Sequence, residues 1–232
     1  MKRVYKSVET RPAENGWGIA LDGRKLRTPA KRELTVPSTR LAAAIATEWD
    51  AQESDIRPYT MPLTQLATTA IDRTAEKRAE IVTDVASYVA TDLVCYRAEH
   101  PPALATRQEA VWQPLIDWAA GRYDAGLAIT PGIVPVTQSP ASLKAYAGVV
   151  AALDDFQLTA LQTATAACGS LVIALALFEG RLDAGGAFDA SQLDETFQIE
   201  AWGEDAEATR RRQALAADIA AAARFLELLT DG

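Results

Sequence analysis

The sequence predicts an α+β fold, in which a small N-terminal antiparallel β-rich domain is followed by a C-terminal α-helical orthogonal bundle. Strand-like alternation of apolar and polar residues is confined to the chain before about Val36, where Asp22-Gly23 supplies a tight hairpin turn. The rest of the chain repeats apolar residues at helical spacing, and its second half is rich in alanine. Strands followed by helices, without alternation, indicate segregated layers. We therefore expect a β-rich domain with its covering helix over 1–60 and a helical bundle domain over 61–232.

The predicted N-terminal strands have one apolar face. Trp17, Ile19 and Leu21 alternate with small or polar residues, and Leu26 continues the pattern after the turn. A few strands with one apolar face are not stable alone in water, so that face needs a cover. The helix that begins after Ser38 as N-cap is the nearest candidate.

Three residues near the end of that helix are candidates for a site. Glu48, Trp49 and Gln52 continue the apolar stripe of Leu41 and Ile45 at spacings of three and four. One interpretation is a structural hydrogen-bond network that joins two layers, because a buried carboxylate without partners would be costly. The other is a docking or catalytic site at the same junction. In both cases we expect the three residues to lie where the β layer meets the helices.

Local signals also predict where the later helices begin and end. Thr60 is expected to cap a helix with Pro62 in its first turn, and the segment 61–93 forms either one long helix or two. The other predicted helices run from Leu104 to about Gly121, from Ser139 through Leu153, from Asp155 as cap through Gly169 to Gly180, from a capping box of Ser191 and Asp194 through Trp202, and along the C-terminal stretch to Leu229. Prolines and glycines between 121 and 140 predict loops with short extended pieces.

Charge and cysteine content restrict the partners and the compartment. A formal net charge of −8 argues against nucleic acid and against an anionic membrane surface, since both require a basic protein surface. Cys95 and Cys168 lie in apolar sequence, which is typical of buried thiols in a reducing compartment. The start Met1–Tyr5 passes directly into strand-like sequence without a targeting presequence, and the apolar run Leu171–Phe178 is too short to span a bilayer. We expect a cytoplasmic bacterial protein that is monomeric and does not insert into membranes.

Catalytic motifs are missing from the sequence. The single histidine, His100, stands beside two prolines, and Gly16-Trp17-Gly18 lacks the strand-to-helix context of a dinucleotide site. No metal and no cofactor are therefore expected. An acidic cluster near Trp202 could supply a general acid and base, although acidic residues at helix starts are also favoured by the helix dipole. The cluster consists of Asp194, Glu195, Glu204, Asp205 and Glu207.

Six short motifs resemble a known family, and together they cover nearly the whole chain. They are Leu21-Asp22-Gly23-Arg24-Lys25-Leu26-Arg27-Thr28-Pro29, Glu48-Trp49-Asp50-Ala51-Gln52, Met61-Pro62-Leu63-Thr64, Thr69-Ala70-Ile71-Asp72, Gly169-Ser170-Leu171 and Trp202-Gly203. In this order and spacing they resemble the assembly chaperone of the ATP synthase catalytic head, a family of mitochondria and of bacteria related to them. The resemblance implies an N-terminal β-rich domain and a C-terminal helical bundle, in agreement with the pattern above.

The resemblance also implies a function without catalysis. A member of this family holds free ATP synthase α subunit transiently, so that its exposed interface does not aggregate before it meets the β subunit. Two alternatives remain: an enzyme that uses the acidic cluster near Trp202, or a structural subunit of the finished synthase. For client docking we expect the segment from Asp194 to Arg212, where the aromatic residues Phe197 and Trp202 stand among Asp194, Glu195, Glu200, Glu204, Asp205 and Glu207. The alternative is that both aromatic side chains point into the bundle and the acidic side chains are only solvated. The face of Glu48, Trp49 and Gln52 is the second candidate.

Overall fold

The computed structural model describes residues 2–203 and 205–231, and it confirms the α+β prediction. Antiparallel strands occupy the N-terminal part, and helices follow. The strands are β1 (Val8–Ala13), β2 (Gly16–Leu21), β3 (Arg24–Lys25), β4 (Thr35–Val36), β5 (Tyr96–Arg97) and β6 (Thr130–Pro131). The α-helices are α1 (Thr39–Asp50), α2 (Pro62–Thr69), α3 (Arg78–Ser87), α4 (Pro102–Tyr123), α5 (Pro140–Ala151), α6 (Asp155–Cys168), α7 (Leu171–Phe178), α8 (Ala184–Ser191), α9 (Leu193–Trp202) and α10 (Ala206–Leu228).

Contacts divide the chain into two compact units. The first comprises Met1–Arg78, Asp154–Ala160 and Arg224–Gly232, and the second comprises Ala79–Leu153 and Leu161–Ala223. These units are defined by contacts between residues, whereas the sequence boundary at residue 60 separates a β-rich from a helical segment. The domain assignment of 1–60 and 61–232 stays a prediction.

In the first unit, strand β2 lies at the centre of the antiparallel sheet. It pairs with β1 along its whole length, and with β3 and β4 at its two ends. The predicted turn is present, with left-handed φ values of 48° at Asp22 and 76° at Gly23. Gly16 is required at the start of β2, because its φ is 134° and a Cβ there would collide with the carbonyl of Val36.

Helix α1 covers the apolar face of this sheet, as the sequence predicts. It packs against β1, β2 and β4, and it buries Leu41 and Ile45 completely. The Ser38 hydroxyl accepts a hydrogen bond from the backbone N–H of Leu41 at 3.0 Å, which confirms Ser38 as the N-cap. The helix ends at Asp50, so Gln52 lies beyond it and not on its stripe.

The segment 61–93 contains two α-helices and two irregular helical turns. Helix α2 continues into a π-helical turn over Ala70–Thr74, α3 follows, and a 3-10 turn over Tyr88–Thr91 ends the segment. Pro62 occupies the first turn of α2 as predicted. The expected cap by Thr60 is wrong, because Thr60 belongs to a preceding 3-10 turn, and its hydroxyl bonds to the Arg57 carbonyl.

In the second unit, helix α7 has the most buried sequence. Every residue from Leu171 to Leu177 is buried, and α7 packs against α4 and α8. The predicted single helix from Asp155 to Gly180 is two helices. Gly169 ends α6 with a φ of 63°, and Ser170 caps α7 by accepting the N–H of Ile173 at 3.0 Å.

Two further predicted caps are wrong. Helix α6 is preceded by Asp154, whose carboxylate accepts the N–H of Gln157 at 2.8 Å while the Gln157 side chain accepts the N–H of Asp154 at 3.0 Å. This reciprocal pair is a capping box one residue before the predicted cap. The predicted box of Ser191 and Asp194 does not form, because Ser191 ends α8 and its hydroxyl bonds to the Phe188 carbonyl.

Candidate functional site

The carboxylate of Glu48, on α1, caps the N-terminus of helix α2. Its Oε1 accepts the N–H of Leu63 at 2.8 Å, and its Oε2 accepts both the N–H and the hydroxyl of Thr64, at 2.8 and 2.7 Å. These N–H groups belong to the first turn of α2, where no intrahelical partner exists. Burial raises the pKa of Glu48 above its usual value, and the hydrogen bonds from Thr64 and Leu63 oppose that rise.

Gln52 extends the same network. Its amide nitrogen donates to the Glu48 carbonyl at 3.0 Å and to the Thr60 hydroxyl at 3.1 Å, and its amide oxygen accepts the N–H of Arg57 at 2.8 Å. The buried side chain thus fixes the connection between α1 and α2. Among the interpretations open at the sequence level, this geometry favours the structural network.

Trp49 is half-buried beside the N-terminal segment. Its ring lies 5.9 Å from the ring of Tyr5, centroid to centroid, and its carbonyl accepts the Tyr5 hydroxyl at 2.7 Å. The indole N–H is buried and makes no hydrogen bond within the described part of the chain. Glu48, Trp49 and Gln52 are therefore brought together in the first unit, and their role in partner binding stays a prediction.

In the second unit, part of the predicted acidic surface is engaged in contacts within the protein. The Asp194 carboxylate accepts a hydrogen bond from the side-chain amide of Gln108 at 2.7 Å. Glu200 forms a bidentate ion pair with Arg107, at 2.8 and 2.9 Å. Both contacts join α9 to α4. Arg107 lowers the pKa of Glu200 through its hydrogen bonds, so this carboxylate is ionised near neutral pH.

The other acidic residues surround an open cleft of about 600 Å³ at the start of α10. Glu195 and Glu207 line it together with Arg210 and Arg211, and Glu195 lies 3.8 Å from the Arg211 guanidinium. Asp205 also lines the cleft, but its carboxylate accepts the N–H groups of Glu207 and Ala208, both at 2.8 Å. Glu204, predicted to belong to this surface, lies outside the described residues.

Trp202, the last residue of α9, is exposed. Its exposed fraction is 81%, although tryptophan is among the residues that gain most from burial. Gly203, with a φ of 84°, ends the helix immediately after it. The structure thus places Trp202 on the surface and next in sequence to the acidic start of α10.

Sequence reasoning missed a second exposed apolar site. Ile133 and Val134, in the loop between β6 and α5, are 92% and 69% exposed. Gln138 holds that loop through two hydrogen bonds to the backbone of Ala128, at 2.8 and 2.9 Å. The sequence shows two adjacent apolar residues, Ile133 and Val134, between prolines. This pattern does not predict exposure, because it is equally typical of a short buried strand.

Two negative findings apply to residues 2–203 and 205–231 alone. No helix there has the length and hydropathy needed to cross a membrane. No three histidine, cysteine or carboxylate side chains in this part of the chain are placed to hold a metal ion.

Comparison with known proteins gives a consistent result. The family profile described as ATP12 chaperone protein matches residues 2–120. Protein atp12, mitochondrial, of Schizosaccharomyces pombe is 26% identical over 214 residues, which is 87% of this chain and 74% of that protein. The crystal structure of Atp12 from Paracoccus denitrificans has a TM-score of 0.95 at 42% identity, and the match covers 99% of this chain and 98% of that one. The Atu1473 protein of Agrobacterium tumefaciens has a TM-score of 0.94 at 39% identity, with 99% and 86% covered.

Fold, sequence and structural likeness agree over nearly the whole chain, and they define a chaperone. The chain belongs to the ATP12 chaperone family.

Proposed function

We propose that this protein is a chaperone for assembly of the ATP synthase catalytic head and that it binds free α subunit transiently. It acts by contact alone: it covers the surface that α later buries against β, and it is released when the two subunits meet. Membership of the ATP12 family supports the chaperone role. The choice of the α subunit follows from the resemblance carried by the sequence motifs.

The observation that carries the binding role is the exposed Trp202. A surface that covers apolar client area needs aromatic or aliphatic anchors within a charged rim, because the rim sets specificity and the rate of encounter. Trp202 is such an anchor, and Glu195 and Glu207 with Arg210 and Arg211 line the cleft at the start of the next helix. Asp194 and Glu204 are the other predicted docking residues of this segment.

An enzyme that uses these carboxylates is less well supported. Asp194, Glu200 and Asp205 already bind groups of this chain. Backbone hydrogen bonds from Ala208 and Glu207 hold the pKa of Asp205 below its usual value, which makes it a poor general acid at neutral pH. A passive subunit of the synthase would instead remain in the mature complex after assembly.

We further infer that the protein works in the cytoplasm. Cys95 and Cys168 are free and buried, which fits a reducing compartment.

Capture of purified α subunit tests the function. We expect immobilised wild-type protein to retain α subunit, and Trp202→Ala to weaken capture roughly tenfold or more, because hot-spot tryptophans contribute about 2 kcal/mol or more. The double charge reversal E204K/E207K is expected to weaken capture while the melting temperature stays unchanged. The matched control E9K/E14K reverses two exposed glutamates outside both candidate docking faces and should bind like wild type.

Two results would contradict the proposal. One is failure of the wild type to retain α subunit, and the other is turnover of nucleotide by the pure protein. If α subunit is retained equally by wild type, W202A and E204K/E207K, the function stands but docking occurs elsewhere, with Glu48, Trp49 and Gln52 as the next face to test.

A further inference from the structure

A groove in the first unit lies between the N-terminal segment and the β2–β3 hairpin. Its volume is about 470 Å³, and it is open to solvent. Val4, Tyr5, Leu21 and Leu26 provide its apolar lining. The hairpin adds three basic residues, which are Arg24, Lys25 and Arg27.

The groove is held in shape by a clamp at the hairpin turn. The Asp22 carboxylate accepts the N–H of Lys6 at 3.0 Å and the N–H of Ser7 at 2.8 Å, and it also accepts the Ser7 hydroxyl at 3.1 Å. Asp22 therefore lines the groove but directs its oxygens at the N-terminal segment. On the other side of Val4, the N–H of Arg3 donates to the Ser54 carbonyl at 3.0 Å.

This clamp displays an apolar side chain to solvent. Val4 is 89% exposed although both of its neighbours are fixed: the Arg3 guanidinium bonds to Asp50 and Gln52, and the Tyr5 hydroxyl bonds to Trp49. In a flexible terminus, an exposed valine would need no explanation, because no packing holds its side chain in place. Because the segment is ordered, the exposed Val4 side chain adds apolar surface to the lining of the groove.

The charge of the groove is opposite to that of the chain. Three basic residues, Arg24, Lys25 and Arg27, line the groove against one acidic residue, Asp22, in a protein whose net charge is −8. Lys25 pairs with Glu33 at 2.6 Å, and Arg27 donates to the Lys31 carbonyl at 2.8 Å. No hydrogen bond or ion pair to the Arg24 side chain occurs among the described residues. The rim thus favours an anionic partner, and the apolar lining favours an aliphatic side chain.

We propose that this groove docks an extended acidic segment of the client that carries an aliphatic residue, which packs on Val4 while its carboxylates face Arg24 and Arg27. The inference rests on the proposed function, since the segment belongs to the α subunit. A peptide fits better than a nucleic acid or a membrane, because the groove accommodates only a few side chains and the rest of the chain is acidic.

Photocrosslinking tests the proposal directly. Val4 is replaced by p-benzoylphenylalanine, which its exposure permits, and the protein is irradiated with purified α subunit. We expect a crosslink to α whose peptide, identified by mass spectrometry, is rich in aspartate or glutamate. Adding R24E/R27E should lower the yield about tenfold, whereas R24K/R27K should retain it, because it conserves the charge. The control R73E/K144E changes net charge equally at exposed positions outside the groove.

The outcomes separate this proposal from the proposed function. If the unmodified protein does not retain α subunit, both fail. If α is retained but Val4 crosslinks to nothing on it, or to a basic segment, only the groove proposal is overturned. A crosslink to a second copy of this chain overturns it too, as does binding of anionic phosphatidylglycerol vesicles or single-stranded DNA that R24E/R27E abolishes. Equal crosslinking by R24E/R27E and R73E/K144E would show that the basic rim has no part in docking.

Discussion

Glu48 and Thr64 are joined twice, since one carboxylate oxygen of Glu48 accepts both the backbone N–H and the hydroxyl of Thr64, at 2.8 and 2.7 Å. The other oxygen takes the N–H of Leu63. Helix α2 therefore begins under a cap supplied by α1. An acidic cap also interacts favourably with the positive end of the helix dipole, which adds to the three hydrogen bonds. Glu48 and Gln52 together therefore fix the start of α2 relative to the end of α1.

The first prediction is that Glu48→Gln destabilises the protein by about 1–3 kcal/mol, because one of its two acceptor oxygens becomes a donor that faces N–H groups. Urea denaturation of wild type and variant measures the difference. The matched control is Glu53→Gln, a substitution of the same kind at an exposed position, which should leave the unfolding midpoint unchanged. Equal midpoints for the two variants would mean that the cap contributes nothing to stability.

The second prediction concerns Trp49. Replacing it with alanine should cost about 3 kcal/mol, since the half-buried indole packs beside Tyr5. If its role is structural, folded W49A still captures α subunit, and only the melting temperature falls. An unchanged melting temperature with lost capture would assign Trp49 to a binding surface instead. Both quantities should be measured on the same preparation.

Short-range signals predicted much of the fold correctly. The Asp22-Gly23 turn, the Ser38 cap and the helix start at Ser139 were predicted correctly because each involves bonds within a few residues. The cap from Glu48 was missed because its partners are 15 and 16 residues away. The break at Gly169 was missed since apolar spacing continues across it, so periodicity alone does not separate α6 from α7.

The candidate site was less predictable for a physical reason. Residue type tells how much a side chain gains from burial, but packing decides whether it is buried. Trp112 is completely buried, and its indole donates to the Ala190 carbonyl at 2.8 Å, whereas Trp202 is exposed. Both stand at helical positions among apolar and charged neighbours. The sequence therefore identified Trp202 as a candidate without establishing its exposure.

The third prediction tests the exposed loop that sequence reasoning missed. I133S/V134S should reduce α-subunit capture at least tenfold if the two side chains are buried in the complex, because burial of even one of them contributes about 1.5 kcal/mol or more. Its melting temperature should stay unchanged, since both residues are exposed in the free protein. The swap I133V/V134I keeps the apolar area and should bind like wild type. Unaltered capture by I133S/V134S would exclude the loop from the interface.

Asp92 is the most deeply buried carboxylate in the described chain. It accepts the Ser170 hydroxyl at 2.5 Å and the N–H of Val172 at 3.1 Å at the start of α7, and the N–H of Val94 at 3.2 Å. Burial nevertheless raises its pKa to about 6, because these bonds only partly replace hydration of the charge. Burial also raises the pKa of its neighbours Cys95 and Cys168 to about 12, so both remain neutral at physiological pH.

The fourth prediction is a pH dependence with a definite sign. A raised carboxyl pKa means that the folded state binds the Asp92 proton more tightly than the unfolded state, so stability falls as pH rises from about 4 to 6. Carboxylates with a lowered pKa, such as Glu200 and Asp205, make the folded protein more stable as the pH rises. The effect of Asp92 must therefore be measured as a difference in unfolding free energy between wild type and a variant without this carboxylate. Relative to Asp92→Asn, which cannot ionise, wild type should lose roughly 2 kcal/mol of unfolding free energy between pH 4 and pH 7, at about 1.4 kcal/mol for each unit of pKa shift and with the first part of the loss below pH 4. Urea denaturation across this range measures it, with Asp84→Asn, at an exposed position, as the control that should run parallel to wild type. Parallel curves for wild type and D92N would instead show that Asp92 titrates alike in the folded and unfolded chain.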